Sequence, residues 1–129
     1  MSAFFMTKKH HIPALLWAGM ILLIIGIPGS YIPKPHKFLE IISPDKIIHL
    51  IMFGPLSFLT ARGIWRQHQN LKSAVLSSLS LGIIYAITTE LLQFFVISGR
   101  NGNIYDALAD CIGVLIGVYV FYKTRGNKV

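Results

Sequence analysis

The sequence predicts an all-α membrane protein, a polytopic bundle of four transmembrane helices, and three observations support this fold class. Hydrophobic residues make up 53% of the 129 residues and charged residues only 13%, too few to cover the surface of a soluble domain. Four apolar stretches approach or exceed the roughly 18–20 residues with which a helix crosses the hydrocarbon core. These stretches lack the alternation that is typical of membrane β-strands, so helices are the expected spanning elements.

The chain is interpreted as a single domain over residues 1–129, with its spans at residues 12–32, 47–64, 74–97 and 104–122. The first span follows Lys8 and Lys9. Because it runs on past a typical signal-peptide core, we interpret it as a retained anchor. The second span follows Ser43, Pro44 and Asp45, which have the pattern of a helix N-terminus.

Small residues in the third and fourth spans predict close helix packing. Gly82 and Ala86 are four residues apart in the third span, as are Gly113 and Gly117 in the fourth. Such pairs allow two helix backbones to approach each other. We therefore also consider a homo-oligomer that associates through Gly113 and Gly117.

The distribution of lysine and arginine predicts that both termini are cytoplasmic, in a multi-pass protein of the inner (plasma) membrane. The basic residues expected on the side of the termini are Lys8, Lys9, Arg62, Arg66, Lys72, Lys123, Arg125 and Lys128. Those expected on the opposite side are fewer: Lys34, Lys37, Lys46 and Arg100. The net charge is +7, and the basic residues flank the apolar stretches. This placement favours membrane lipids as partners and not nucleic acid.

Ionisable side chains inside the spans are the main functional signal, because charge in hydrocarbon is costly and calls for a partner or a function. In the predicted topology, the outer ends of spans two, three and four bring several polar residues to a similar depth. We expect them to face one another and not the lipid. The candidate binding residues are Asp45, His49, Glu90, Gln93, Arg100, Asp106 and Asp110.

This cluster is compatible with more than one kind of chemistry. Glu90, Asp110 and His49 are candidate catalytic residues, because carboxylates with a histidine suit general acid–base work. The same oxygen and imidazole groups suit a divalent metal, but the spacing is too weak to assign a metal site, and no cofactor is predicted. Arg100 suits a phosphate or a carboxylate.

Several of these residues also carry a resemblance to a known family. The chain has D-K-x-x-H from Asp45, E-x-x-Q from Glu90, G-R at Gly99, a further carboxylate at Asp106 and G-x-x-x-G from Gly113. This ordered set, over roughly residues 45–117, resembles the VanZ-like family of small membrane proteins. The resemblance implies a bacterial inner-membrane protein and an association with resistance to the glycopeptide teicoplanin. The family often has asparagine where this chain has Asp110.

Four functions remain open from the sequence. The first is a membrane protein that binds or shields a cell-envelope lipid or peptidoglycan precursor, which the resemblance links to glycopeptide resistance. The second is an intramembrane enzyme that acts on a lipid-linked substrate through carboxylate and histidine acid–base or metal chemistry. The others are a proton- or ion-coupled carrier and a structural partner of another membrane protein.

Overall fold

A computed structural model describes residues 8–31, 44–97, 99 and 104–125, without the side chains of residues 29, 44 and 45. Every regular element in this part of the chain is helical, which confirms the all-α prediction. Short 3₁₀ turns occupy Lys9–His11 and Gly29–Tyr31. The α-helices are α1 (Ile12–Ile25), α2 (Pro44–His68), α3 (Leu71–Phe95) and α4 (Ile104–Arg125).

Three of these helices match the predicted membrane spans in length and apolar character. They are Lys46–His68, Leu71–Phe95 and Ile104–Arg125. The fourth apolar segment, Lys9–Ile25, is shorter. The described residues therefore include three helices that are long and apolar enough to cross a membrane, whereas the fourth span, the single domain and the cytoplasmic termini stay predictions.

Helix α1 ends earlier than the predicted boundary at residue 32. Its start is compatible with Pro13 in the first turn, where a missing N–H costs nothing. Its last regular residue is Ile25, and the Gly26 N–H still bonds to the Leu22 carbonyl at 3.0 Å. Pro28 follows, which lacks an N–H and restricts the residue before it, so a continuous helix to residue 32 was the wrong expectation.

A tight connection places α2 and α3 side by side. Gln69 adopts a left-handed conformation with φ of 52° directly after α2. Asn70 then caps α3, because its side-chain oxygen accepts a hydrogen bond from the Ser73 N–H at 2.9 Å. The C-terminal end of α2 and the N-terminal end of α3 consequently lie at the same end of the bundle.

The closest helix contact joins α2 and α4, and two glycines make it possible. A β-carbon on Gly113 would lie 3.0 Å from the Leu50 carbonyl oxygen, and one on Gly117 would collide with the Gly54 carbonyl and the Ser57 hydroxyl. The Ser57 hydroxyl also donates a hydrogen bond to the Val114 carbonyl at 3.0 Å. The Gly113/Gly117 face therefore packs inside the chain, and association of two copies stays a prediction that needs a further surface.

Helix α1 is attached to its neighbours by two side-chain hydrogen bonds. The Trp17 indole N–H donates to the Met52 carbonyl of α2 at 2.7 Å. The Tyr85 hydroxyl of α3 donates to the Ala18 carbonyl at 2.7 Å. Behind these bonds lies an apolar core formed by Ile21, Ile25, Met52, Phe53, Leu56, Ala86 and Val114.

Most of the described lysines and arginines gather at one end of the bundle. At one end the Arg125 guanidinium lies 5.9 Å from the centre of the Trp65 ring, so α4 ends beside the end of α2. A β-carbon on Gly63 would touch the His10 carbonyl, so α1 begins at this same end. Exposed Arg66 and Lys72 flank the link between α2 and α3 here. We call this the basic end. The described residues among the predicted polar set, which are His49, Glu90, Gln93, Asp106 and Asp110, lie toward the opposite end.

Candidate functional site

The centre of the candidate site is a buried hydrogen bond between α2 and α4. His49, in the first half of α2, is 2% exposed, and Asp110 is fully buried. The His49 Nδ1 lies 2.7 Å from the Asp110 Oδ1, within the range of a charge-assisted hydrogen bond. With the proton on Nδ1, the ring donates to the carboxylate and the lone pair is on Nε2.

Helix α3 contributes a second carboxylate to the same histidine. The Glu90 Oε1 lies 3.9 Å from the His49 Nδ1, and the Glu90 side chain is only 10% exposed. Gln93 follows three residues later and is also buried, as expected for residues that share one helix face. Three helices therefore meet at His49.

A third carboxylate comes from the first turn of α4. Asp106 is buried and lies one turn before Asp110. A carboxylate in the first turn is stabilised by the positive end of the helix dipole. One potential ligand atom from each of His49, Glu90 and Asp106 lies within 4.8 Å of the others. We call His49, Glu90, Asp106 and Asp110 the polar cluster.

The local packing explains why these four side chains meet. The close approach of α4 to α2 at Gly113 lies one turn beyond Asp110 and brings that carboxylate next to His49. On the other flank, a β-carbon on Gly82 of α3 would clash with the Val114 side chain, so α3 and α4 are also closely packed. Small residues thus position the polar groups.

Lys46 lies beside the polar cluster and was not among the predicted site residues. Its ammonium group lies 5.4 Å from the centre of the Tyr105 ring, in a cation–π arrangement next to Asp106 in sequence. Lys46 precedes His49 by three residues, so both lie on one face of α2. The three-residue spacing from His49 is the sequence signal that could have identified Lys46 as a site residue.

Two predicted site residues cannot be placed. Arg100 and the side chain of Asp45 lie outside the described residues. The preceding Gly99 is described, and its φ of 74° lies in the left-handed region that glycine adopts without steric cost. The sharp turn of the chain at Gly99 gives a physical reason for the glycine of the G-R pair.

The arrangement has several chemical uses. A histidine held by one carboxylate and approached by another suits proton transfer, because the second group can give or take a proton. Imidazole and carboxylate donors from different helices also suit a divalent cation. The carboxylates further suit hydrogen bonds from hydroxyl, amide or amine groups of a ligand.

Comparison with protein families gives a match over nearly the whole chain. The model of the VanZ/LLP1 family matches residues 7–125 of the chain. No curated protein and no solved structure matches the chain. All four residues of the polar cluster, and Lys46 beside it, lie inside the matched range.

Proposed function

The chain belongs to the VanZ/LLP1 family, and on that premise we propose that its polar cluster binds the headgroup of a cell-envelope lipid or peptidoglycan precursor. The observation that carries this proposal is the convergence of Glu90 and Asp110 on His49, at 3.9 Å and 2.7 Å, from three different helices. Ionisable groups in membrane helices are rare, face the bundle interior and mark functional positions.

Helix α1 is proposed to complete a four-span bundle. The apolar segment Lys9–Ile25 has 17 residues. With a 3₁₀ turn preceding an α-helix, it would extend to about 27 Å, close to the hydrocarbon thickness of about 30 Å. Its large side chains Leu15, Leu16 and Leu23 are strongly exposed, which lipid accommodates better than water does. The hydrogen bonds from Trp17 and Tyr85 hold it against α2 and α3.

The polar cluster is proposed to lie near the outer face of the inner membrane. The basic end contains Arg66, Lys72, Lys123 and Arg125, and the positive-inside rule assigns that end to the cytoplasm. His49 and Trp65 are separated along α2 by about 24 Å of helix. The polar cluster would then lie in the leaflet where lipid-linked envelope precursors are presented for assembly.

The chemistry of the polar cluster favours a ligand with many hydrogen-bond donors. Carboxylates of Glu90 and Asp106 accept hydrogen bonds from sugar hydroxyls and peptide amides, which peptidoglycan precursors carry. A bare phosphate would be repelled by these carboxylates. Lys46, at the edge of the polar cluster, supplies the positive charge that a phosphate linkage needs, and Arg100 stays a predicted second contact.

A binding experiment with two lipids tests this function. The purified chain in nanodiscs is titrated with a lipid-linked disaccharide-pentapeptide precursor and, separately, with the same polyprenyl chain carrying phosphate alone. We expect saturable binding of the complete precursor and weaker binding of the truncated lipid. For Glu90→Gln we expect a loss of about 5- to 150-fold, because the amide replaces one acceptor oxygen with an NH₂ group and removes the charge that strengthens the other hydrogen bond, at a cost of about 1–3 kcal/mol. Thr88→Ala, exposed on the same helix, is the matched control.

Two results would contradict the proposal. One is an absence of saturable binding of either lipid by a chain that is folded by circular dichroism. The other is equal binding of both lipids, unaffected by Glu90→Gln, because the headgroup would then contribute nothing through the polar cluster.

A glycopeptide phenotype would follow from precursor binding. A chain that covers the headgroup of a peptidoglycan precursor would reduce its capture by teicoplanin, in line with the resemblance to teicoplanin-resistance-associated proteins. Expression of the wild-type chain is then expected to lower teicoplanin susceptibility, and expression of Glu90→Gln at the same level is expected not to. An unchanged susceptibility with the wild-type chain would remove the resistance part of the proposal.

A second candidate function, catalysis on a lipid-linked substrate, is favoured by one specific observation. The His49–Asp110 hydrogen bond at 2.7 Å orients an imidazole toward the bundle interior, with Glu90 close enough to relay a proton. The test is turnover of a lipid-linked precursor by the purified chain with divalent metals supplied. Turnover that Glu90→Gln abolishes while binding persists would establish the enzyme, and binding without turnover would leave the first function.

A further inference from the structure

We propose that the polar cluster holds a divalent cation, with His49, Glu90 and Asp106 as ligands and Asp110 as the residue that positions His49. The inference deepens the proposed function and rests on it for the role of the ion, which would link the carboxylates to an anionic headgroup. The ion site itself is testable with the metal alone.

The donor atoms have the composition and proximity of a metal site with open positions. One imidazole nitrogen and two carboxylate oxygens, from α2, α3 and α4, lie within 4.8 Å of one another. Around a tetrahedral ion with bonds near 2.0–2.1 Å, neighbouring donors are about 3.3–3.4 Å apart. Small side-chain rotations would close that difference, and three protein ligands leave a coordination position for a headgroup oxygen.

Asp110 takes the place of the outer carboxylate that metal-bound histidines commonly have. It accepts the hydrogen bond from the His49 Nδ1 at 2.7 Å and is fully buried. This bond sets the tautomer that presents Nε2 as a ligand atom and fixes the plane of the ring. His49 is thereby oriented without Asp110 being a ligand itself.

The burial of the polar cluster also fits a cation. Three carboxylates, Glu90, Asp106 and Asp110, are buried in it. A divalent ion held among these carboxylates would stabilise their ionised forms, because attraction between opposite charges is strong in a low-dielectric site.

The mixed imidazole and carboxylate donors favour Zn²⁺ or Mn²⁺ over Ca²⁺ or Mg²⁺, which prefer oxygen ligands alone. A metal in this position would coordinate a phosphate or pyrophosphate oxygen of a lipid headgroup. This resolves the repulsion between the carboxylates and an anionic ligand, since the ion lies between them.

The experiment measures metal binding without lipid. The chain is purified in detergent with its affinity tag removed, because a histidine tag binds the same metals, and is stripped with a chelator. Zn²⁺ is titrated by calorimetry, and Mn²⁺ by electron paramagnetic resonance. We expect one ion per chain, a loss of affinity of about 10–100-fold for Asp110→Asn, and a larger loss for His49→Ala, Glu90→Gln and Asp106→Asn.

Two control variants separate the proposed site from other histidines. His68→Ala removes an exposed histidine at the far end of α2, and His10→Ala/His11→Ala removes the pair before α1. Neither is expected to change the stoichiometry. Helical circular dichroism of every variant guards against misfolding, and on the wild-type chain a Co²⁺ spectrum reports nitrogen and oxygen coordination directly.

The outcomes distinguish the ion from the lipid. Absence of a stoichiometric ion on the wild-type chain, or binding that is lost in the His10/His11 variant and kept in Glu90→Gln and Asp106→Asn, overturns the metal site. Precursor binding that is equally tight with chelator present overturns the bridging role and leaves the proposed function intact. Metal binding without precursor binding supports the ion site and contradicts the proposed function.

Discussion

The His49 Nδ1 lies 2.7 Å from the Asp110 Oδ1, although 61 positions separate the two residues along the chain. Both side chains are buried, and they join α2 to α4 at one end of the glycine-lined contact between these helices. The position of the ionisable groups and the packing of the bundle are therefore linked. A change in one is expected to alter the other.

Two replacements of Asp110 separate the contribution of its hydrogen bond to stability from the contribution of its charge. Asp110→Asn keeps an oxygen that accepts from the His49 Nδ1–H, so we expect little change in the thermal unfolding midpoint. Asp110→Ala leaves a buried polar partner unsatisfied and should lower the free energy of unfolding by about 1–3 kcal/mol.

Thermal unfolding of both variants in detergent, followed by circular dichroism, provides the measurement. Ser80→Ala, at an exposed position of α3, is the control and should unfold with the wild-type chain. Equal destabilisation by asparagine and alanine would mean that the carboxylate charge, and not the hydrogen bond, stabilises this contact.

Gly117→Ala tests the contact between α2 and α4. The added β-carbon would collide with the Gly54 carbonyl and the Ser57 hydroxyl, and a backbone carbonyl cannot rotate away. We expect a loss of about 1–3 kcal/mol in the free energy of unfolding from overpacking. Gly19→Ala is a matched control on α1, since nothing lies within 4 Å of its added β-carbon, and there alanine should stabilise the helix slightly. Equal stability of the two variants would contradict the packing.

Much of the helical fold could be predicted from the sequence, because apolar length and cap residues are local signals. Asn70 and Ser73 explain why α3 begins at Leu71, near the predicted boundary at residue 74. The end of α1 was predicted too late, at residue 32, because the apolar stretch continues past Pro28 although the helix does not. The break at Gly26 and Pro28 is a local signal that was available.

All four residues of the polar cluster were among the predicted site residues, whereas the packing around them was not predicted in detail. Relative depth follows from topology, so Glu90 and Asp110 were expected near His49, and the structure brings all three together. Their functional role stays a prediction. Which helix face meets which depends on packing over the whole bundle, so the sequence did not reveal that Gly113 and Gly117 face α2. Nor did it show that Lys46 lies over Tyr105.

Tyr85→Phe tests the attachment of α1. The substitution removes the hydroxyl that donates to the Ala18 carbonyl at 2.7 Å, and it keeps the ring that packs 5.9 Å from the Phe53 ring. We expect the free energy of unfolding to fall by about 0.5–1.5 kcal/mol. Relative to the wild-type chain, hydrogen exchange should accelerate more in α1 than in α4. Tyr119→Phe, at an exposed position, should leave exchange unchanged. Uniform acceleration over all helices would show that the bond supports the whole bundle and not α1 in particular.

Cysteine labelling tests which end of the bundle faces the cytoplasm. In a Cys111→Ala background, Ile104→Cys and Lys72→Cys place one thiol at exposed positions of opposite ends. If the basic end is cytoplasmic, as the positive-inside rule predicts, a membrane-impermeant maleimide should label Ile104→Cys in intact spheroplasts. It should label Lys72→Cys only after lysis. Labelling after lysis of both variants controls for reactivity. The reverse labelling pattern would invert the proposed orientation and place the polar cluster in the cytoplasmic leaflet. Precursors presented on the outer face would then be out of its reach. The distances among His49, Glu90 and Asp110 do not depend on the orientation.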